Sequence, residues 1–273
     1  MRLAVCGFAL VLVASCYAPE TRSGAPCTPG LANCPSGQTC ELVAGAHVCV
    51  AGAVPDAGPD ILVDAPTDGG TARPWTLVQA RGSSNGRRVT IAASGAAHLI
   101  VVAVQTALNQ VTSVTDDANN TYVPVAGSRA VDMAQTTAVE LWYAASSTAG
   151  ATTITASGDA IYAVVAWEVA GIRGVNPLDA VSKLENQPQS TTPFGASITT
   201  SAAGEFVVSA IIVANAVTNV TMGNAFTNDL TTYGNGWAHL TSASSPAGTY
   251  QARWTQPDPG TSCATSAAFF AGP

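Results

Sequence analysis

Charge is what this sequence has least of: Asp, Glu, Lys and Arg make up 10% of its 273 residues, whereas 47% are hydrophobic. Its 10 basic residues form no cluster and are outnumbered by 17 acidic ones, for a net charge of −7. A phosphate backbone is held by a basic patch, so nucleic acid is excluded as a partner. Long apolar runs are missing as well, and beyond the N-terminal residues none approaches the ~20 of a membrane-spanning helix. The signatures GxSxG, HExxH and GxxxxGK[ST] are absent. From residue 74 onwards there are two histidines, His98 and His239, too few for three-histidine zinc. The sequence therefore assigns no catalytic residue, no cofactor and no metal.

The N-terminus carries an export signal. Arg2 precedes a run of about a dozen apolar residues, the length of a secretory core and too short to span a bilayer. The run ends Val13-Ala14-Ser15-Cys16. This resembles the lipobox of bacterial lipoproteins, with Val13 where Leu is usual and Ser15 where Gly or Ala is usual. The resemblance implies that residues 1–15 are removed, that Cys16 carries the lipid, and that the membrane is a partner through it. Tyr17 stands where an inner-membrane retention signal has Asp, which by the same resemblance implies the outer membrane or cell surface. The alternative is an ordinary signal peptide that ends near an unrelated cysteine.

Beyond a tether at 16–26, Cys27, Cys34, Cys40 and Cys49 lie close together in residues 27–49. In an oxidising compartment such a cluster is expected to form two disulfides, with three connectivities open. The competing zinc site, with His47, lacks a close C-x-x-C pair. Resemblance to EGF-like and related knots implies Cys27–Cys40 and Cys34–Cys49. Cys263 is left over, as expected for a small buried thiol. Residues 50–73 are rich in Pro, Gly and Ala, with Asp56, Asp60, Asp64 and Asp68 at regular spacing. Such a segment buries no core. At ~3.1 Å per residue it is a stalk that reaches up to about 70 Å.

Residues 74–273 carry no sustained helical period. Short runs of Val, Ile, Thr, Ala and aromatics, bounded by Gly, Ser, Asn and Asp, predict an all-β sandwich. HLIVVAV and EFVVSAIIV are apolar on both faces, which places them centrally. They also open an internal echo. VTSVTDDANNTYVP is followed by SSTAGATTITAS and AIYAVVAWEVAG, and VTNVTMGNAFTNDL by SSPAGTYQARWT and SCATSAAFFAG, in the same order. The joint AGIRGVNPLDAV contains no flexible linker, which favours one fused core over two separate sandwiches. The runs SVTDDANNTY, VELWYAASSTAGATTIT and WEVAGIRGVNPLDAV resemble a jelly-roll-like β-sandwich module common in exported bacterial proteins. That resemblance implies an antiparallel jelly-roll-like fold with no defined activity, and the echo adds an internal duplication to it.

Candidate ligand residues come from strand alternation. In VELWYA, Glu140 and Trp142 share a face, and in GWAHL so do Trp237 and His239. An indole stacks on a pyranose ring while a neighbouring polar group takes its hydroxyls, so these four form the candidate glycan platform. Trp167 aligns with Ile161, Val165 and Val169 as core, and Glu168 faces the other way with Tyr162 and Val164. Asp116 and Asp117, in TDDANNTY, suit a tight turn. The expectation is a lipid-anchored envelope protein whose non-catalytic head binds a glycan, envelope polymer or partner protein. The alternatives are a polysaccharide-active enzyme that uses Glu140 or Glu168 as one of two carboxyls, and a structural coat component.

Overall fold

The computed structural model describes residues 38–43, 46–51, 74–84, 86–220 and 225–273. The chain divides into two units, Met1–Thr67 and Asp68–Pro273. In the first, β1 (Gln38–Val43) and β2 (Ala46–Ala51) form an antiparallel hairpin whose register sets Cys40 opposite Cys49. Cys40 is disulfide-bonded. Val50 and Ala51, expected to begin the stalk, belong to β2 instead, and Cys16, Cys27, Cys34 and the rest of the stalk lie outside the described residues.

The second unit is all β. Its first half contains β3 (Thr76–Ser83), β4 (Arg88–Thr90), β5 (Leu99–Thr106), β6 (Val111–Asp116), β7 (Val123–Pro124), β8 (Ala130–Asp132), β9 (Thr137–Ala144), β10 (Thr153–Gly158) and β11 (Ile161–Ala170). The second half contains β12 (Leu178–Ser190), β13 (Ile198–Thr199), β14 (Phe206–Val213), β15 (Asn219–Val220), β16 (Phe226–Leu230), β17 (Gly236–Leu240), β18 (Thr249–Tyr250), β19 (Trp254–Thr255) and β20 (Gly260–Phe269), with a 3₁₀ turn at Thr232–Gly234.

The two halves share one topology. The large sheet of the first runs β3-β11-β5-β9-β7, with β8 also on β9, and that of the second runs β12-β20-β14-β17-β16. In each, the first strand of the half lies beside its last, followed by the third strand and then the penultimate long one. The small sheet β4-β10-β6 has its counterpart in β13-β18 and β15-β19, where one strand has split into two. This first–last–third order of the large sheet is that of a jelly roll, written twice. Local detail repeats too. Ala97 and Gly204, each just before the third strand, have positive φ (58° and 74°), and their N–H groups donate to Ser147 O at 2.7 Å and Ser245 O at 2.8 Å.

The rolls pack through their large sheets, so there are four layers and three cores. On β5, Leu99, Val101 and Ala103 point to the central core, while Ile100, Val102 and Val104 point into the first roll. On β14, Phe206, Val208, Ala210 and Ile212 point centrally, while Val207, Ile211 and Val213 point into the second roll. A strand buried on both faces is apolar at nearly every position, which is why these two runs lack alternation. Aromatic contacts bridge the sheets, with Trp75 edge-on to Phe206 at 5.0 Å and Tyr143 edge-on to Phe269 at 5.6 Å. Cys263 is buried in the central core as a free thiol, and burial pushes its pKa up.

One face assignment is corrected. Val165, Trp167 and Val169 lie in the central core, but Ile161 packs into the first roll. The register of β11 against β5 slips between Ile161 and Ala163, so Tyr162 is the extra residue of a bulge. A bulge reverses the faces on one side of it.

Because the central core belongs to both rolls, residues 74–273 should unfold in one transition. Tryptophan fluorescence and far-UV circular dichroism followed through a denaturant titration should give coincident midpoints. Two separated transitions would mean that the rolls are independently stable.

Candidate functional site

The platform expected from strand alternation is not open to a ligand. Glu140 and Trp142 do share a face, and Trp142 Nε1 donates to Glu140 Oε1 at 3.1 Å. The indole, however, is 8% exposed and packs in the core of the first roll. Trp237 is 0% exposed in the central core, and His239 is buried beside Trp75 and Phe206. In a two-layer sandwich each sheet turns one face to solvent. Here the first roll covers that face of the second roll's large sheet and encloses Trp237 and His239, while Trp142 lies on the inner face of its own roll, so none of these rings can stack on a sugar.

These side chains have structural partners instead. Glu140 also accepts from Val111 N at 3.0 Å, and the Arg129 guanidinium lies 3.9 Å away. Burial nevertheless raises its pKa. His239 Nδ1 pairs with Asp229 Oδ1 at 2.7 Å, and Trp167 Nε1 donates to Asp229 Oδ2 at 2.7 Å, so Asp229 ties the first roll to the second. Glu168 is a satisfied buried carboxylate that takes Gln79 Nε2 at 2.6 Å, Gly95 N at 2.7 Å and His98 Nδ1 at 2.7 Å. These contacts fasten the loop before β5 to β3 and β11.

Asp116 and Asp117 organise a turn. Asp116 accepts from Ala118 N and Asn120 N, each at 3.0 Å, and from Tyr122 Oη at 2.9 Å, around Asn119 at φ 59°. Asp117 accepts from Thr152 N at 2.7 Å and Thr153 N at 3.1 Å, which with the Thr152 hydroxyl hold its pKa down at about 2.

An exposed aromatic pair lies elsewhere, where the two rolls meet. Tyr162, on the β11 bulge, is 36% exposed, and Tyr233, in the 3₁₀ turn, is 52% exposed. Their rings stack with centroids 5.9 Å apart and planes at 14°. Both rest on backbone irregularities. Bulges re-aim side chains, and Tyr233 has φ 56°, a left-handed conformation that is unfavourable for a non-glycine residue. Three features fix the turn. Trp237 Nε1 donates to Thr232 O at 3.0 Å, Val217 N donates to Gly234 O at 2.7 Å, and Gly82 on β3 leaves room for Thr232. A Cβ at Gly82 would lie 2.2 Å from Thr232 Oγ1. Trp237, expected to touch ligand, thus serves as the buried anchor of the turn that presents Tyr233.

The tyrosines border a cleft of about 350 Å³, floored by Gln105, Thr137 and Asn235 and edged by Asn215 and Gln135. Gln105 (4% exposed) and Asn235 (2% exposed) join the rolls, Asn235 Nδ2 donating to Gln105 Oε1 at 2.8 Å. Gln105 Nε2 donates to Thr137 Oγ1 at 3.3 Å, and Val213 N donates to Asn235 Oδ1 at 3.1 Å. Among the described residues, no Lys, Arg, His, Asp or Glu lines the cleft. The arrangement can stack a ring and exchange hydrogen bonds with hydroxyls, and it offers no acid–base pair. Sequence reasoning missed it because a bulge and a left-handed tyrosine leave no periodic trace. The available signal was TTYGNG, a tyrosine set among turn-forming residues. Comparison with family models, curated proteins and solved structures finds no match to this chain.

One carboxyl is set to titrate near neutrality. Glu205 is buried, Ala202 N donates to its Oε1 at 2.7 Å, and its Oε2 has no hydrogen-bond donor. Burial, with the Asp179 carboxylate as a smaller influence, pushes its pKa from 4.5 to about 7. A carboxyl whose pKa is raised on folding favours the folded state while protonated, so its contribution is full below about 4.5 and is lost as pH rises through about 7. Glu205→Gln should remove this decline, which is at most about 3 kcal/mol, from a plot of unfolding free energy against pH. An unchanged profile would show that folding leaves the Glu205 pKa where it is in the unfolded chain.

Proposed function

We propose that this chain is an exported, lipid-anchored protein of the outer membrane or cell surface, whose stalked head binds a glycan without catalysis. The observation that supports the binding reading best is the inter-roll cleft. It has two exposed stacked tyrosines, held out by a bulge and a left-handed turn, above a floor of buried amides. Strained backbone maintained at a solvent-facing aromatic pair serves presentation better than packing. The anchoring reading is supported by the lipobox-like Val13-Ala14-Ser15-Cys16 and by the Asp/Pro segment that follows the cysteine cluster. The enzyme reading has less support, since Glu140 and Glu168 are each occupied by local partners.

Tyr233→Ala in the full chain should weaken glycan binding about tenfold, roughly 1.4 kcal/mol, with little change in thermal stability because the ring is exposed. A calorimetric titration paired with a melting curve measures both. Binding that survives the substitution would move the site away from the cleft. Cys16→Ser should shift the protein from the membrane fraction to the soluble fraction and abolish labelling by a fatty-acid probe. Retention in the membrane fraction would refute the lipid anchor.

A further inference from the structure

We infer that the cleft takes an uncharged glycan segment, recognised through amides and tyrosine faces and not through ion pairs. This rests on the glycan reading above and narrows it. The floor supplies the first argument. A primary amide has two N–H donors and a carbonyl acceptor. Gln105 Nε2 gives one N–H to Thr137, and Asn235 Nδ2 gives one to Gln105, so each amide keeps a second N–H for a ligand. Sugar hydroxyls both donate and accept, and they match a floor that does the same.

The second argument is charge. A carboxylate or phosphate on a sugar is normally met by Arg or Lys, because a desolvated anion without a cationic partner is costly. The cleft lining has neither. Three acidic residues connect to the lining. Asp159 is exposed on the hairpin that leads to Tyr162, and Asp258 is exposed where its carbonyl accepts from Asn215 Nδ2 at 3.0 Å. Asp132, whose carboxylate is occupied by Ala134 N at 3.0 Å and Gln135 Nε2 at 2.6 Å, lies behind the cleft wall. Their negative charge disfavours a polyanion, and added salt screens that effect. A polycation finds no carboxylate in the lining to pair with.

The third argument is size. About 350 Å³ is at the small end of the 300–1,000 Å³ typical of ligand sites, so a short stretch of glycan fills it. Affinity should therefore stop rising with chain length after the first few sugars.

The test is calorimetric titration of the full chain in detergent with linear hexamers of glucose, xylose and N-acetylglucosamine, with a galacturonate hexamer and with a glucosamine hexamer, each at low and high salt. The expected result is binding of at least one neutral hexamer, changed less than about twofold by salt, with no binding of the charged ones. Gln105→Leu should weaken that binding about tenfold. The salt series needs no variant, so it decides the matter even if Gln105→Leu fails to fold. Salt-sensitive binding of a charged hexamer that Tyr233→Ala abolishes would overturn this inference and leave the cleft as the site. Binding indifferent to Tyr233→Ala would overturn the inference by moving the site away from the cleft, and binding of none of the hexamers would overturn the glycan reading itself.

Discussion

Everything in residues 74–273 depends on the burial of one large sheet against another. Because β5 and β14 are covered on both sides, nearly all of their side chains are apolar, and polar groups are pushed to strand ends, loops and the seam between the rolls. At about 25 cal/mol per Å² of apolar surface removed from water, a third core adds to the two that the rolls already contain. It also removes the freedom a two-layer sandwich has to use either sheet face as a binding surface. What remains for recognition is the rim where the layers end.

At that rim the molecule places its unusual backbone. The extra residue in β11, the left-handed Tyr233 and the Gln105–Asn235 bridge all lie along one line between the rolls. Support comes from deeper residues: Trp237 holds the turn, and Gly82 makes space for it. The mutual placement of the two tyrosines therefore depends on the packing of the large sheets, and a disturbance in the central core would be felt at the cleft.

Much of the fold was legible in the sequence because it rests on periodicity. The doubly apolar runs at Leu99–Thr106 and Phe206–Val213 are central strands, and the echo that pairs Ser147 with Ser245 falls on equivalent hydrogen bonds in the two rolls. The candidate site was not legible. Alternation correctly put Trp237 and His239 on one face, yet nothing in a single strand says that a second sheet covers it. Nor does alternation survive a bulge: Ile161 changes cores, and Tyr162 comes to the surface. The left-handed conformation of Tyr233 is imposed by contacts distant in sequence, notably that of Thr232 with Gly82.

The repeated topology has a consequence for how such a molecule can arise. A single roll would present Leu99, Val101, Leu141, Val165 and Trp167, or their counterparts in the second copy, as a continuous apolar face. A face of that kind in water drives association. A single roll of this kind would be expected to pair through that face, and the present chain has the arrangement of such a pair with its two halves joined. Joining freed the copies to differ: Tyr162 is an extra residue in β11, whereas β20 keeps an unbroken register against β14 from Phe269 to Ser262 and has no counterpart of it. A symmetric dimer has two equivalent seams, but a fused one can specialise a single seam and close the other.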